Sequence, residues 1–258
     1  SSRRHFLKSS LCFAGTIPFL EFSNPSFASE LQRRAERNLK LSPEASLNDE
    51  DFWGWIKEQY TVSPNLLNLN NGGISPQPKC VQEAHIRYYQ YANEGPSYYM
   101  WRIIDQGREP LRAKLAELAG CSPEEIAINR NATEALNTVI FGLNLKAGDE
   151  IVTTLQDYPN MVNAWKQRER RDGVVVKRVN LDLPTDTDEQ ITKKFADTFT
   201  SKTKLVHITH MINWNGHLLP GKMIAQEARK RGIEVLLDTA HSFGLINFKL
   251  PDMDCDYS

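Results

Sequence analysis

The sequence is short of most features that would place it quickly. Its 258 residues contain four cysteines, at positions 12, 80, 121 and 255, and they form no CxxC pair. That spacing offers no zinc site and no thioredoxin-like redox pair. Neither GxGxxG nor GxxxxGK[ST] occurs, so a dinucleotide fingerprint and a phosphate-binding P-loop are both unsupported. HExxH is absent, as is any internal repeat. Charge of one sign is missing too: 31 Lys and Arg stand against 32 Asp and Glu. With no global field and no long basic run, nucleic acid is excluded as an expected partner. Lys166 to Arg171 is locally basic, but Met161 and Trp165 give the same segment an apolar side, which predicts the solvated face of a helix. What is present is 40% hydrophobic residues, enough for a sizeable core.

The first residues have a layout of their own. Ser2-Arg3-Arg4-His5-Phe6-Leu7-Lys8 precedes the apolar stretch Leu11 to Phe22 and then Ser26-Phe27-Ala28. A charged start, an apolar run too short to span a bilayer and a small-x-small site predict a signal peptide over 1–28. The paired arginines resemble a twin-arginine export signal. Export to the periplasm follows as an expectation, with membrane contact only through the export machinery. Losing Cys12 with that segment leaves an odd number of cysteines, which argues against a disulfide framework. Ordinary buried thiols are expected.

Residues 29–65 read as a charged, helical or partly ordered lead-in, with a short helix over Phe52 to Tyr60. The main domain is expected over 66–258. Leu66 to Asn70 reads as a short strand, and helical periodicity runs over Pro78 to Tyr91 and Gln106 to Ala119. Apolar strand-like runs then appear at Ile126 to Ile128, Glu150 to Thr154, Val174 to Val179, Leu205 to Thr209 and Val235 to Leu237. They alternate with helical stretches at Thr133 to Leu143, Asn160 to Arg171, Asp188 to Phe199 and Met223 to Arg231. Such alternation predicts an α/β fold, a mostly parallel sheet with helices on both faces. Ligands of such sheets bind beyond the C-terminal strand ends, so the chemistry belongs in the loops there.

Four of those loops carry polar residues of interest. In Asn129-Arg130-Asn131-Ala132-Thr133-Glu134, a helix start offers free N–H groups and the Thr133 hydroxyl to an anion. The same residues read as a capping box, Asn131 capping and Glu134 reaching back. Gln156-Asp157-Tyr158-Pro159 places an aromatic where a planar ring could stack, and equally reads as an Asp157 helix cap. His210 to Gly216 brings the Asn213 amide to a strand end. Asp238, at the end of the apolar run Val235 to Leu237, is the most telling, because a desolvated carboxylate needs a cationic partner or strong donors. A pyridinium nitrogen is one such partner.

In this order the loops resemble those of the class V aminotransferase family of fold type I pyridoxal-phosphate enzymes, and the isopenicillin N epimerase-like branch in particular. The residues that carry the resemblance are Arg130 to Asn137, Thr209-His210 with Asn213 and Gly216, and Leu237 to His241. It implies pyridoxal 5'-phosphate (PLP) as cofactor. Ala132 and Thr133 then match the phosphate turn, Tyr158 the ring stack, Asn213 a ring-side contact, Asp238 the partner of the pyridine nitrogen and His241 a donor to the ring hydroxyl. The aromatic run Pro96 to Trp101 and the Asn71-Gly72-Gly73 loop look closer to the epimerase-like branch, so substrate contacts are expected at Asn71, Gly72 and Tyr98.

The implied activity is that of an aminotransferase or epimerase-like enzyme acting on an amino acid through a Schiff base and loss of the Cα proton, in a homodimer. A cysteine desulfurase or kynureninase-type lyase is the alternative. Tyr158 stands where the desulfurases carry histidine, and a phenol moves protons poorly near neutral pH. The family's Schiff-base lysine follows one strand after Asp238, beyond Ser258, and Asp254 to Ser258 looks like the start of that strand. Lys222 and Lys249 do not match it, and Ser1 replaces a starting methionine, so a fragment inactive without the lysine is expected.

Two other function classes are compatible with parts of the sequence. A metal module on His207, His210, His217 and His241 is disfavoured, since residues three apart on a strand face opposite ways. A non-catalytic exported binding protein on the same fold is the other.

Overall fold

The computed structural model describes residues 25–258. The export signal expected over 1–28 therefore lies almost wholly outside the described residues. Helix α1 (Pro25–Leu39) already runs through the expected cleavage site. No described helix is long and apolar enough to cross a membrane.

The chain divides into two compact units. One comprises residues up to Leu118 with Ser122–Ile126 and Gly244–Asn247; the other holds Ala119–Cys121, Ala127–Phe243 and Phe248–Ser258.

In the first unit, α1 is followed by α2 (Pro43–Leu47) and α3 (Glu50–Glu58). Asp49 caps α3 by accepting the Phe52 N–H at 3.0 Å. Ala35 and Phe52 form a small core there, with Leu39, Trp53 and Ile56 against it. Helices α4 (Lys79–Glu94) and α5 (Arg108–Ala119) follow, joined by a turn of α-helix, a π-helical turn at Tyr99–Ile103 and a 3-10 turn. The strand expected at Leu66 to Asn70 does not form. Leu66, Leu67 and Leu69 are exposed, and among the described residues no strand pairs with them.

The second unit carries the sheet. Helix α6 (Ala132–Gly142) comes first, then β1 (Glu150–Thr154), α7 (Pro159–Asp172), β2 (Val175–Val179), α8 (Asp188–Thr198), β3 (Thr203–Thr209), α9 (Gly221–Arg229) and β4 (Glu234–Asp238). The order is β2-β1-β3-β4 and every pairing is parallel, as the alternation predicted. Ile126 to Ile128 is extended but pairs with nothing in the sheet. Tyr257 forms a parallel bridge with Leu236, so the segment after β4 does start to pair as a strand.

Period-two alternation sorts the strand residues between two cores. Val152, Val206, Ile208, Val235 and Leu237 face α8 and α9, packing with Ile191, Phe195, Ile224 and Ala228. Ile151, Leu205 and Leu236 face α6 and α7, packing with Leu136, Ile140, Met161 and Trp165. The sheet is thus covered on both sides, and its central strands β1 and β3 are near-continuously buried because neither face meets water.

Local signals account for the helix ends. Thr187 and Gln190 form a reciprocal capping box at α8. Gly173 ends α7 in the left-handed region, φ 71°, where a Cβ would meet that of Ala147 at 2.9 Å. One expectation for α7 needs correcting. Its basic stretch is not wholly a solvated face, because Arg168 is buried and donates to the carbonyls of Ile140 at 2.8 Å and Leu143 at 3.1 Å. It thereby satisfies the orphan carbonyls at the C-terminus of α6. Cys80, Cys121 and Cys255 are not in disulfides and are half-buried rather than buried.

Candidate functional site

Because the strands are parallel, the loops after β1, β3 and β4 all open at the same edge of the sheet. Asp238 is the last residue of β4, paired with Thr209 on β3. Its side chain is buried and accepts the Ala240 N–H at 2.9 Å. Burial pushes its carboxyl above the ordinary value, opposed by His207, the Ala240 N–H and His241. The site therefore resists holding this charge until something positive arrives.

The residues around it share a face by parity. His207 and Thr209 on β3, Thr153 on β1 and Asp238 on β4 fall in step with Leu205, Ile151 and Leu236, on the side of α6 and α7. Asp157, in the loop after β1, is buried and accepts the Thr209 hydroxyl at 2.8 Å, the Tyr158 N–H at 2.7 Å and the Thr153 hydroxyl. It does not cap α7, whose N-cap is Tyr158 without a side-chain bond. The local cap expected of Asp157 gives way to tertiary partners. His207 is fully buried and its Nδ1 accepts the Trp165 indole N–H at 2.9 Å. One oxygen each from Asp157 and Asp238 and a ring nitrogen of His207 lie within 4.8 Å of one another. Asp157, His207 and Trp165 were not among the site residues expected from sequence. The available signal, for His207 alone, was polar residues at alternate positions of a strand that is otherwise largely apolar.

Ala132 and Thr133 open α6. The first N–H groups of a helix have no intrahelical acceptor, so these two face outward with the dipole behind them. Asn131 caps the helix by accepting the Glu134 N–H at 2.9 Å, as expected. Glu134, however, reaches back to the Arg130 N–H at 2.8 Å rather than to the capping residue. That bond and the Arg130 side chain hold the Glu134 carboxyl below its usual range. Arg130, Asn131, Thr133, Glu134, Asn137 and Thr138 line a recess open to solvent.

Tyr158, Asn213 and His241 lie in or next to the loops at that strand-end edge. Tyr158 is 40% exposed, its ring free for a planar partner. Asn213 is exposed in the loop after β3, which closes through Gly216 N–H to the Ile212 carbonyl at 2.9 Å, with Gly216 at φ 73°. His241 is half-buried in the turn after β4, close enough to Asp238 to favour its charge. His210, just past β3, is buried, with Nδ1 2.9 Å from the Ser242 hydroxyl and its ring edge-on to Phe248. Desolvation lowers its pKa to about 4. Asn71, Gly72 and Tyr98 belong to the first unit. There Asn71 donates to the Asn68 carbonyl at 3.1 Å, Gly72 sits in the same turn, and Tyr98 is exposed beside Tyr99.

Comparison with known proteins gives the chain its relatives. Isopenicillin N epimerase from Streptomyces clavuligerus is 29% identical over 206 residues, covering 80% of this chain and 52% of the relative. A probable cysteine desulfurase from Synechocystis sp. is 34% identical over 200 residues, covering 74% and 47%. A solved structure of a C-DES mutant with glycine covalently linked to its PLP cofactor superposes with a TM-score of 0.69 at 27% identity, covering 78% of this chain and 53% of that one. The chain spans about half the length of the relatives it matches. The family profile "Aminotransferase class-V" matches residues 67–258, and the chain belongs to that family.

Proposed function

We propose that the whole protein is a PLP-dependent enzyme that removes a Cα proton from a small amino acid, of the aminotransferase or epimerase type. The observation that carries this reading is Asp238, a carboxylate buried at the end of an apolar strand whose ionisation burial opposes. A pyridinium nitrogen would supply the missing positive charge. The N–H groups of Ala132 and Thr133 and the Thr133 hydroxyl would hold the phosphate, Tyr158 would pack on the ring face, and Asn213 and His241 would meet the ring edge. When bound, PLP supplies an electron sink for carbanion chemistry. The chain's own residues position it and keep Asp238 out of water. Substrate contacts from Asn71, Gly72 and Tyr98, a homodimer, and a Schiff-base lysine outside these residues complete the proposal, leaving residues 1–258 without turnover of their own.

The test is to express the whole protein and look for a yellow species bleached by borohydride, then to follow exchange of substrate Cα protons into deuterated water. Wild type should be coloured and should exchange, and Asp238→Ala should not exchange. A colourless protein that takes up no PLP would defeat the reading. A second reading, cysteine desulfurase, draws on the Synechocystis relative. Tyr158 in place of histidine weighs against it, so sulfide release from L-cysteine should be absent.

For location, we propose export by the twin-arginine route, on the pattern of Ser2 to Lys8 and the apolar run after it. Arg3→Lys with Arg4→Lys should abolish the periplasmic fraction; unchanged export would overturn it.

A further inference from the structure

We propose that His207 is a positioning residue for Asp238: its Nε2–H, oriented by the Trp165 indole, hydrogen-bonds the Asp238 carboxylate and presents it to the pyridine nitrogen. This rests on the cofactor assignment above. His207 is fully buried on β3, and Trp165 donates to its Nδ1 at 2.9 Å. A ring nitrogen that accepts carries no proton, so the proton is on Nε2. That Nε2 is buried and has no hydrogen-bond partner among the described residues. A buried donor left unmade is costly, so it calls for an acceptor within reach.

Two carboxylates lie in the cluster, all three groups having an atom within 4.8 Å of the others. Asp157 is already supplied by two hydroxyls and a backbone N–H. Asp238 has the Ala240 N–H alone among the described side-chain contacts. On the Asp157 side it is Nδ1, already held by Trp165, that lies 3.7 Å from Oδ2. The uncommitted Nε2 donor is therefore left for the less satisfied Asp238 in the same cluster, which a side-chain adjustment would have to bring within hydrogen-bond reach. The titratable groups facing Asp238 are His207 from β3, Asp157 from the loop after β1 and His241 from its own turn. Of these, His207 sits on the buried side and has its tautomer set by a neighbour.

The same three groups could suggest a cation site. The proton arrangement argues against it. Nδ1 spends its lone pair on Trp165 and Nε2 carries the proton, so His207 has no lone pair to give a metal.

The test uses the whole protein, freed of cofactor and reloaded with PLP labelled with nitrogen-15 in its ring. The ring-nitrogen chemical shift reports protonation, and equilibrium dialysis reports affinity. Wild type should show a protonated ring nitrogen. His207→Leu should move the shift toward the unprotonated value and weaken PLP binding by about 10- to 100-fold, the range of a hydrogen bond to a charged group. Trp165→Phe keeps the bulk but releases the tautomer, and should shift the signal part of the way. His207→Gln, which keeps a donor, should restore it. An unchanged signal in both His207→Leu and Trp165→Phe overturns the proposal. Should His207→Leu fail to fold, an unchanged signal in Trp165→Phe overturns it alone. If wild type takes up no PLP, the cofactor assignment itself has failed. If every variant loads with a protonated ring nitrogen, only the role of His207 has.

Discussion

Acidification should destabilise this protein through His210 in a window that opens above the range where most carboxylates titrate. The ring is buried between Ser242 and Phe248, and desolvation lowers its pKa from 6.5 to about 4. Once unfolded, His210 regains its ordinary affinity for a proton, so the unfolded state binds the proton first. The stability held by the neutral ring is complete above the unfolded pKa and is lost as pH falls from 6.5 toward 4. That interval corresponds to about 3 kcal/mol at most, and solvent screening near the strand end reduces it to on the order of 2 kcal/mol. Against a total of about 5–15 kcal/mol, the loss is readily measured. The assay is urea unfolding at several pH values, comparing wild type with His210→Asn, which keeps a partner for Ser242 but cannot take a charge. Other titrating groups are common to both, so the difference in slope isolates His210. Parallel loss of stability in the two proteins between pH 6.5 and 4 would refute the reasoning.

Asp238→Asn should raise the urea midpoint of the cofactor-free protein at neutral pH, because burial raises the carboxyl's pKa and ionisation above that value opposes folding. The gain should vanish in acid, where the wild-type group is protonated; an equal gain at all pH values would point to packing instead. Arg168→Met should cost about 2–4 kcal/mol in chemical denaturation by stranding the Ile140 and Leu143 carbonyls. It would also unpair Asp172, whose Oδ2 lies 2.7 Å from Arg168 Nε in an ion pair off the hydrogen-bond direction. A change under about 0.5 kcal/mol, as at an ordinary surface site, would show that the capping of α6 matters little. Gly173→Ala should cost about 1–2 kcal/mol for the left-handed backbone, with a further penalty from Ala147; a neutral thermal melt would count against both.

The parallel order of β1 to β4 was legible because long helical periods separated short apolar runs. Those runs carried apolar residues at both parities, as strands covered on both faces require. The same rule misled at Leu66 to Asn70 and Ile126 to Ile128. An extended apolar segment becomes a strand only if a neighbour offers its backbone groups, and none does so here. Asp238 and the start of α6 were legible because their meaning is local: a charge closing an apolar strand, and a cap preceding a helix. Glu134 shows the limit of such local reading, since its reach-back bond goes one residue further than the capping pattern predicts.

Asp157, His207 and Trp165 could not be joined in this way. They lie on a loop, a strand and a helix, and a further strand and helix separate His207 in sequence from the other two. Their hydrogen bonds exist because the register of β1, β3 and β4 stacks alternate side chains on one face. Residue types and their order were enough for the class of fold, the family and the buried carboxylate proposed to meet the cofactor. Which buried groups surround that carboxylate, and which nitrogen of His207 bears the proton, depended on the folded sheet. Polar groups removed from water must find partners in space, and sequence distance does not say which partners are near.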